Sequence, residues 1–142
     1  MFPEAVEVTG APLKGVDVDM NDCPDSVQTL AAVALFAKGA TRVRNVKNLR
    51  VKETDRIGAI AKECAKLGAH VDETEDGFAL TPPASVGSAE IETYRDHRMA
   101  MSFAVAALAA PGVVLCDPEC VSKSYPGFFE HLESLGVTLR RC

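Results

Sequence analysis

The polar positions of this chain repeat. Asp25 and Asp96 each open an Ala-rich stretch, Lys52 and Lys123 each precede the segment after it, and both pairs stand 71 residues apart. Leu67-Gly68 and Leu135-Gly136 each close a helical pattern and lead into residues of strand character. Agreement in order, stop signals and polar positions predicts an internal duplication, two copies of a βαβαββ-like unit over residues 1–80 and 81–142. Units of that kind bury their apolar faces by stacking sheet on helix, so the expected fold class is α/β in layers. Equivalent ends of the two units, Lys52 and Lys123 among them, can then face one shared site.

Hydrophobic periodicity fills in the units. Short strands are expected at Val6–Thr9 and Val16–Asp19, followed by a long apolar run from Val27 to Ala37. Its Ala and Leu content favours helix, Pro24-Asp25-Ser26 supplies a start, and Gly39 supplies a stop. A β-rich segment, Thr41–Val46, leads to a second helix over Glu53–Leu67, where Ile57, Ile60, Cys64 and Leu67 make one apolar face. Strands are expected at His70–Asp72, Phe78–Leu80 and Ala89–Glu92, with Asp76-Gly77 as the hairpin signal between the first two. The order then returns as helix Asp96–Ala110, strand Gly112–Cys116, helix Pro126–Leu135 and strand Val137–Arg140.

The 142 residues are 47% hydrophobic and 25% charged, which suits a single soluble core. A net charge of −5 speaks against a nucleic-acid surface, which gathers Lys and Arg into a patch. Sparse basic residues placed locally suit a small anionic ligand better. Five cysteines, an odd number with neither C-x-x-C nor zinc-ligand spacing, read as reduced thiols of a cytoplasmic protein. No apolar stretch approaches the roughly 20 residues of a membrane span, and the N-terminus lacks the pattern of a signal peptide.

Two polar clusters could carry chemistry. Asn48 to Arg56 falls at a strand-to-helix junction, where free backbone N–H groups, the helix dipole, Lys52 and Arg56 together favour an anion. The plainer reading is a solvated helix start capped by Thr54 or Asp55. Tyr94-Arg95-Asp96-His97-Arg98 opens a nearly uncharged helix, and there Arg98 either pairs with Asp96 or offers its fork to a ligand. His97 suits proton transfer or a satisfied structural role, Asp25 reads as a helix cap, and Lys123 reads locally as a loop lysine. Phosphate-binding glycine loops and zinc-hydrolase motifs are absent, which leaves basic side chains, carboxylates and a histidine suited to an anionic substrate and proton transfer.

These residues resemble a known family. Arg50-Val51-Lys52-Glu53-Thr54-Asp55-Arg56-Ile57 and the stretch Tyr94 to Met101 are similar to two long motifs of the 5-enolpyruvylshikimate-3-phosphate synthases. The similarity extends to Met20-Asn21, Pro24-Asp25, Asp117-Pro118 and Lys123-Ser124-Tyr125-Pro126. It implies the inside-out α/β barrel fold of enolpyruvyl transferases, with about two of six βαβαββ units present. It also implies that Asp25 is the base on the 5-hydroxyl of shikimate 3-phosphate and Glu53 the acid that protonates the methylene carbon of phosphoenolpyruvate. Arg56, Arg98 and Lys123 match phosphoenolpyruvate-binding positions, Asn48 and Lys52 match contacts to shikimate 3-phosphate, and His97 matches a residue beside the reacting centre. No metal or other cofactor is implied.

Family enzymes are monomers of two similar domains, so the N-terminal half is the expected partner of this C-terminal portion, and the portion alone is expected to turn over negligibly. Two alternatives share many of these features. One is an enolpyruvyl transferase acting on UDP-N-acetylglucosamine, and the other a phosphoanion-binding module without catalysis. The Lys-Glu-Thr-Asp-Arg and Asp-His-Arg motifs favour the shikimate enzyme over the first, and intact polar positions argue against the second.

Overall fold

Alternating burial along the short strands, and continuous apolar stripes along the helices, determine how this chain layers. The structure is a computed structural model that describes residues 5–7 and 9–140. Strand β1 (Asp17–Asp19) pairs in parallel with β2 (Thr41–Arg44), and the crossover between them contains helix α1 (Val27–Ala34). After helix α2 (Arg56–Lys66), the hairpin of β3 (His70–Thr74) and β4 (Gly77–Thr81) completes a four-stranded sheet in the order β1-β2-β4-β3. Thr41 and Val43 of β2, with Phe78 and Leu80 of β4, turn inward, while Arg42 faces solvent.

A second, smaller parallel pair follows. Strands β5 (Glu90–Ile91) and β6 (Val114–Leu115) are joined through helix α3 (His97–Ala107), and helix α4 (Phe128–Ser134) comes after. Helix α3 is apolar around most of its circumference because it divides two cores. Met99, Phe103 and Ala106 join α1, α2 and the large sheet, whereas Ala100 and Ala104 meet Val121, Phe128 and Leu132 on the other side. This placement sets the N-terminus of α3 beside those of α1 and α2, where the candidate residues lie.

Several expectations change in detail. Val6, Glu7 and Thr9 lie outside any strand, Val8 lies outside the described residues, and Val6 is exposed. Helix α1 stops at Ala34, since Phe36 and Ala37 make tighter i to i−3 bonds and Lys38 turns away to bond Leu13. Residues 137–140 form no strand. The Val137 N–H instead closes α4 on the Leu132 carbonyl, Gly136 takes the left-handed conformation of a helix stop, and Val137 packs into the second core. The β3–β4 loop is Glu75-Asp76, and Gly77 belongs to β4 because a side chain there would collide with the Val43 carbonyl.

One buried group is poorly served. Gln28 of α1 is fully buried, yet neither end of its amide has a hydrogen-bond partner. An unsatisfied buried polar group costs about 1–3 kcal/mol. Replacing it with an apolar side chain of similar length, Gln28→Met, is expected to raise the urea midpoint at unchanged slope. A lower midpoint would mean that the amide has a partner after all.

Candidate active site

Three helix starts converge on one guanidinium. Arg56, in the first turn of α2, is 1% exposed at its side chain and reaches three carboxylates. Its Nε and Nη2 donate to Asp96 at 2.7 and 3.3 Å, Nη1 donates to Asp25 at 3.0 Å, and Nη2 also donates to Glu53 at 2.9 Å. The chain places these partners by local rules. Asp96 caps α3 through the Arg98 N–H, Asp55 caps α2 through the Gly58 N–H, and Glu53 falls in the turn between that cap and the 3-10 turn Lys47–Val51.

Asp25 does not cap α1, contrary to expectation. It sits in a 3-10 turn, Pro24–Ser26, with its carboxylate aimed out to Arg56 and to Arg98 Nη2 at 2.9 Å. The Arg98 guanidinium does not pair with Asp96, whose carboxylate is claimed by Arg56; its fork closes on the carboxylate and carbonyl of Asp25. Lys123, at the end of the 3-10 turn Pro118–Lys123, donates to Glu53 Oε1 at 2.6 Å. That contact joins the two halves of the chain at the site.

The electrostatics follow from these contacts. The hydrogen bond from Lys123, helped by Arg56 and by a backbone N–H, pulls the Glu53 carboxyl down to about 2, so it is ionised at neutral pH. His97 is 6% exposed, its Nδ1 has no hydrogen-bond partner, and burial pushes its titration below the ordinary 6.5. Burial outweighs the pull of Asp96, leaving a neutral imidazole beside the cluster. Arg56 stays charged because its three carboxylates offset the cost of burial.

Asp25, Glu53, Arg56, Arg98 and Lys123 thus come together, with His97 alongside. Asn48 and Lys52 stand apart from these contacts. Asn48 lines an open depression with Asp19, Asn21, Asn45, Lys47 and Asp76, and Lys52 is exposed. Among the described residues, no group of three or more His, Cys, Asp or Glu side chains is arranged to hold a metal.

Sequence reasoning missed two supports. Asp96 opens α3 as expected and is in addition the fully buried anchor of Arg56. Glu63, also fully buried, accepts from the Tyr94 hydroxyl at 2.6 Å, from Lys66 at 2.6 Å and from the Glu92 N–H at 3.0 Å. Tyr94 and Arg95 both adopt left-handed backbone angles, φ 55° each, so the turn that launches α3 is strained and needs such a hold. The signal was present: Glu63 lies three residues after Ile60 and four before Leu67, on the apolar stripe of α2.

Comparison with known proteins adds a separate line. Residues 3–132 match the sequence model of a family described as EPSP synthase (3-phosphoshikimate 1-carboxyvinyltransferase). A 3-phosphoshikimate 1-carboxyvinyltransferase from Shewanella sp. (strain W3-18-1) is 52% identical over 126 residues, covering 89% of this chain and 30% of the relative. Its namesake from Mannheimia succiniciproducens is 50% identical over 134 residues, covering 93% and 31%. Among solved structures, an EPSP synthase from Acinetobacter baumannii superposes with a TM-score of 0.79 at 32% identity, over 87% of this chain and 30% of that one. The enolpyruvyl transferase NikO from Streptomyces tendae, 24% identical, shares the fold at a TM-score of 0.70 over 91% and 29%. The chain spans about 30% of the length of the curated relatives it matches.

Two measurements probe this geometry. Asp96→Asn strands the buried Arg56 and is expected to cost about 3–5 kcal/mol, whereas Asp17→Asn in the exposed pair with Arg44 should cost about 1 kcal/mol or less. Similar losses in urea unfolding would contradict the buried anchor. For His97, the unfolded chain takes up a proton more readily than the folded one. Stability is therefore full above about pH 6.5 and falls as the pH drops through the lower folded value. His97→Gln should remove that part of the slope, and an NMR titration placing the wild-type midpoint above 6.5 would refute it.

Proposed function

The chain belongs to the EPSP synthase family and has the enolpyruvyl transferase fold, and on that premise we propose that it supplies part of the site that transfers the enolpyruvyl group of phosphoenolpyruvate to the 5-hydroxyl of shikimate 3-phosphate, with release of phosphate. One observation carries the reading: Asp25 and Glu53, the two carboxylates assigned to opposite proton transfers, accept from the same guanidinium, Arg56, with Arg98 and Lys123 next to them. Addition of a hydroxyl across an enol phosphate needs a base for the O–H and an acid for the methylene carbon at close range. It also needs positive charge for the phosphate and carboxylate that flank the reacting carbon.

In this reading Asp25 accepts the proton of the 5-hydroxyl and Glu53 delivers one to the methylene carbon; a proton of the resulting methyl group then returns to Glu53 as the C–O bond to phosphate breaks, which restores the enol double bond. Arg56, Arg98 and Lys123 neutralise phosphoenolpyruvate and the tetrahedral intermediate, while Asn48 and Lys52 hold shikimate 3-phosphate. His97, neutral and without a partner at Nδ1, supports the acid by hydrogen bonding. Residues 1–80 and 81–142 are then two of the family's six units, and the partner is the N-terminal portion of the same enzyme. The chain alone turns over negligibly, since positioning two substrates requires both portions. We place the reaction in the cytoplasm; none of the described helices is long and apolar enough to cross a membrane.

The test mixes this chain with the N-terminal portion of a family enzyme and follows phosphate release from phosphoenolpyruvate with shikimate 3-phosphate present. Release only on mixing is expected, with a fall of about 10²–10⁴-fold for Glu53→Gln. No release from folded, associated portions would overturn the reading.

A further inference from the structure

Each cation of the cluster around Arg56 is already held by a carboxylate of the protein. Arg56 is bound by Asp96, Asp25 and Glu53, Arg98 by Asp25, and Lys123 by Glu53. Three cations face three carboxylates, His97 is neutral, and the cluster balances without a ligand. An arriving phosphoanion leaves it with excess negative charge. Some pair must yield, and a proton must compensate.

The pairs differ in how readily they yield. Arg56 and Asp96 are buried side by side, and the Arg98 fork holds two oxygens of Asp25. The Lys123 ammonium is 57% exposed at its side chain, makes a single contact to Glu53, and stands on a flexible stem whose three N–H donors can be re-aimed. An anion from solvent meets it first.

Resting on the anion-site reading above, we propose that the Lys123–Glu53 ion pair is a latch released by the substrate: the bound anion takes the ammonium, and the freed Glu53 carboxylate accepts one proton from water. Glu53 in the closed state is ionised and has no proton to give, which makes a release step necessary for its role as acid. The groups that face it are Lys123 from the 3-10 turn, Arg56 from α2 and His97 from α3. With Lys123 withdrawn, Arg56 remains, but its other N–H groups are spent on Asp96 and Asp25 and the new anion opposes it. Loss of an adjacent cation and gain of an adjacent anion both favour the protonated carboxyl. The substrate thereby loads the acid that protonates its own methylene carbon.

The test uses the 142-residue chain and inorganic phosphate as probe, following the Glu53 carboxyl by carbon NMR across pH. Lys123→Met is expected to raise the proton affinity of Glu53 at least about tenfold without any ligand. Saturating phosphate should raise it in the wild type in the same direction, with proton uptake that disappears in Glu53→Gln. An unchanged Glu53 titration in folded Lys123→Met overturns the latch, as does phosphate that shifts Arg98 and Lys123 resonances while leaving Glu53 unmoved. Phosphate that shifts neither Arg98 nor Lys123 overturns the anion-site reading and the release step with it. The ligand-free Lys123→Met titration still shows on its own whether the pair holds Glu53 ionised.

Discussion

The Arg56 guanidinium ties together segments that the sequence keeps far apart. Asp25 precedes α1, Glu53 lies in the turn before α2, Arg56 begins α2, and Asp96 caps α3, so one side chain sets the relative position of three helix starts. A cation at a helix N-terminus opposes the helix dipole and, when buried, forfeits its hydration. Neither cost is tolerable for Arg56 alone. The three carboxylates cancel both, and a planar fork with several N–H donors can serve all of them at once where a lysine could not.

Helix α2 grips the approach to α3 at two points. Arg56 holds Asp96, and Glu63, two turns further along the same helix, holds the Tyr94 hydroxyl. Between these grips lie the left-handed angles of Tyr94 and Arg95, a conformation that L-residues adopt only when neighbours compensate. The strain is therefore placed where it aims Asp96, His97 and Arg98 toward the other two helix starts. A relaxed turn would swing the first residues of α3 away and separate Arg98 from Asp25.

How far this was legible depends on what each signal measures. Helices α1 to α4 and most strands could be read because apolar spacing and glycine stops are local properties. The end strand at 137–140 failed for the opposite reason: alternation shows that a segment can be a strand, while pairing needs a neighbour elsewhere in the chain. The site divides in the same way. Residue types and motif resemblance brought Asp25, Glu53, Arg56, Arg98 and Lys123 forward, and the structure brings them into contact. Which carboxylate each cation takes could not be read, because Asp25 has the local sequence of a cap and Asp96 that of a helix opener. Asp96 caps α3 and anchors Arg56 at once, while the Asp25 carboxylate turns to Arg56 and Arg98.

On the proposed reading the cluster binds anions and must exist before the anion arrives, so its cations need counter-charges. Here the counter-charges include Asp25 and Glu53, the same carboxylates assigned to proton transfer. This double use resolves a conflict between folding and chemistry. Paired, the carboxylates let Arg56 be buried and Arg98 be positioned without a ligand; with a ligand present, the pairs that lie nearer solvent are free to rearrange while the buried Arg56–Asp96 contact stays. The gradient of exposure across the cluster, from a fully buried anchor to a half-exposed lysine, separates the part that maintains the fold from the part that meets solvent.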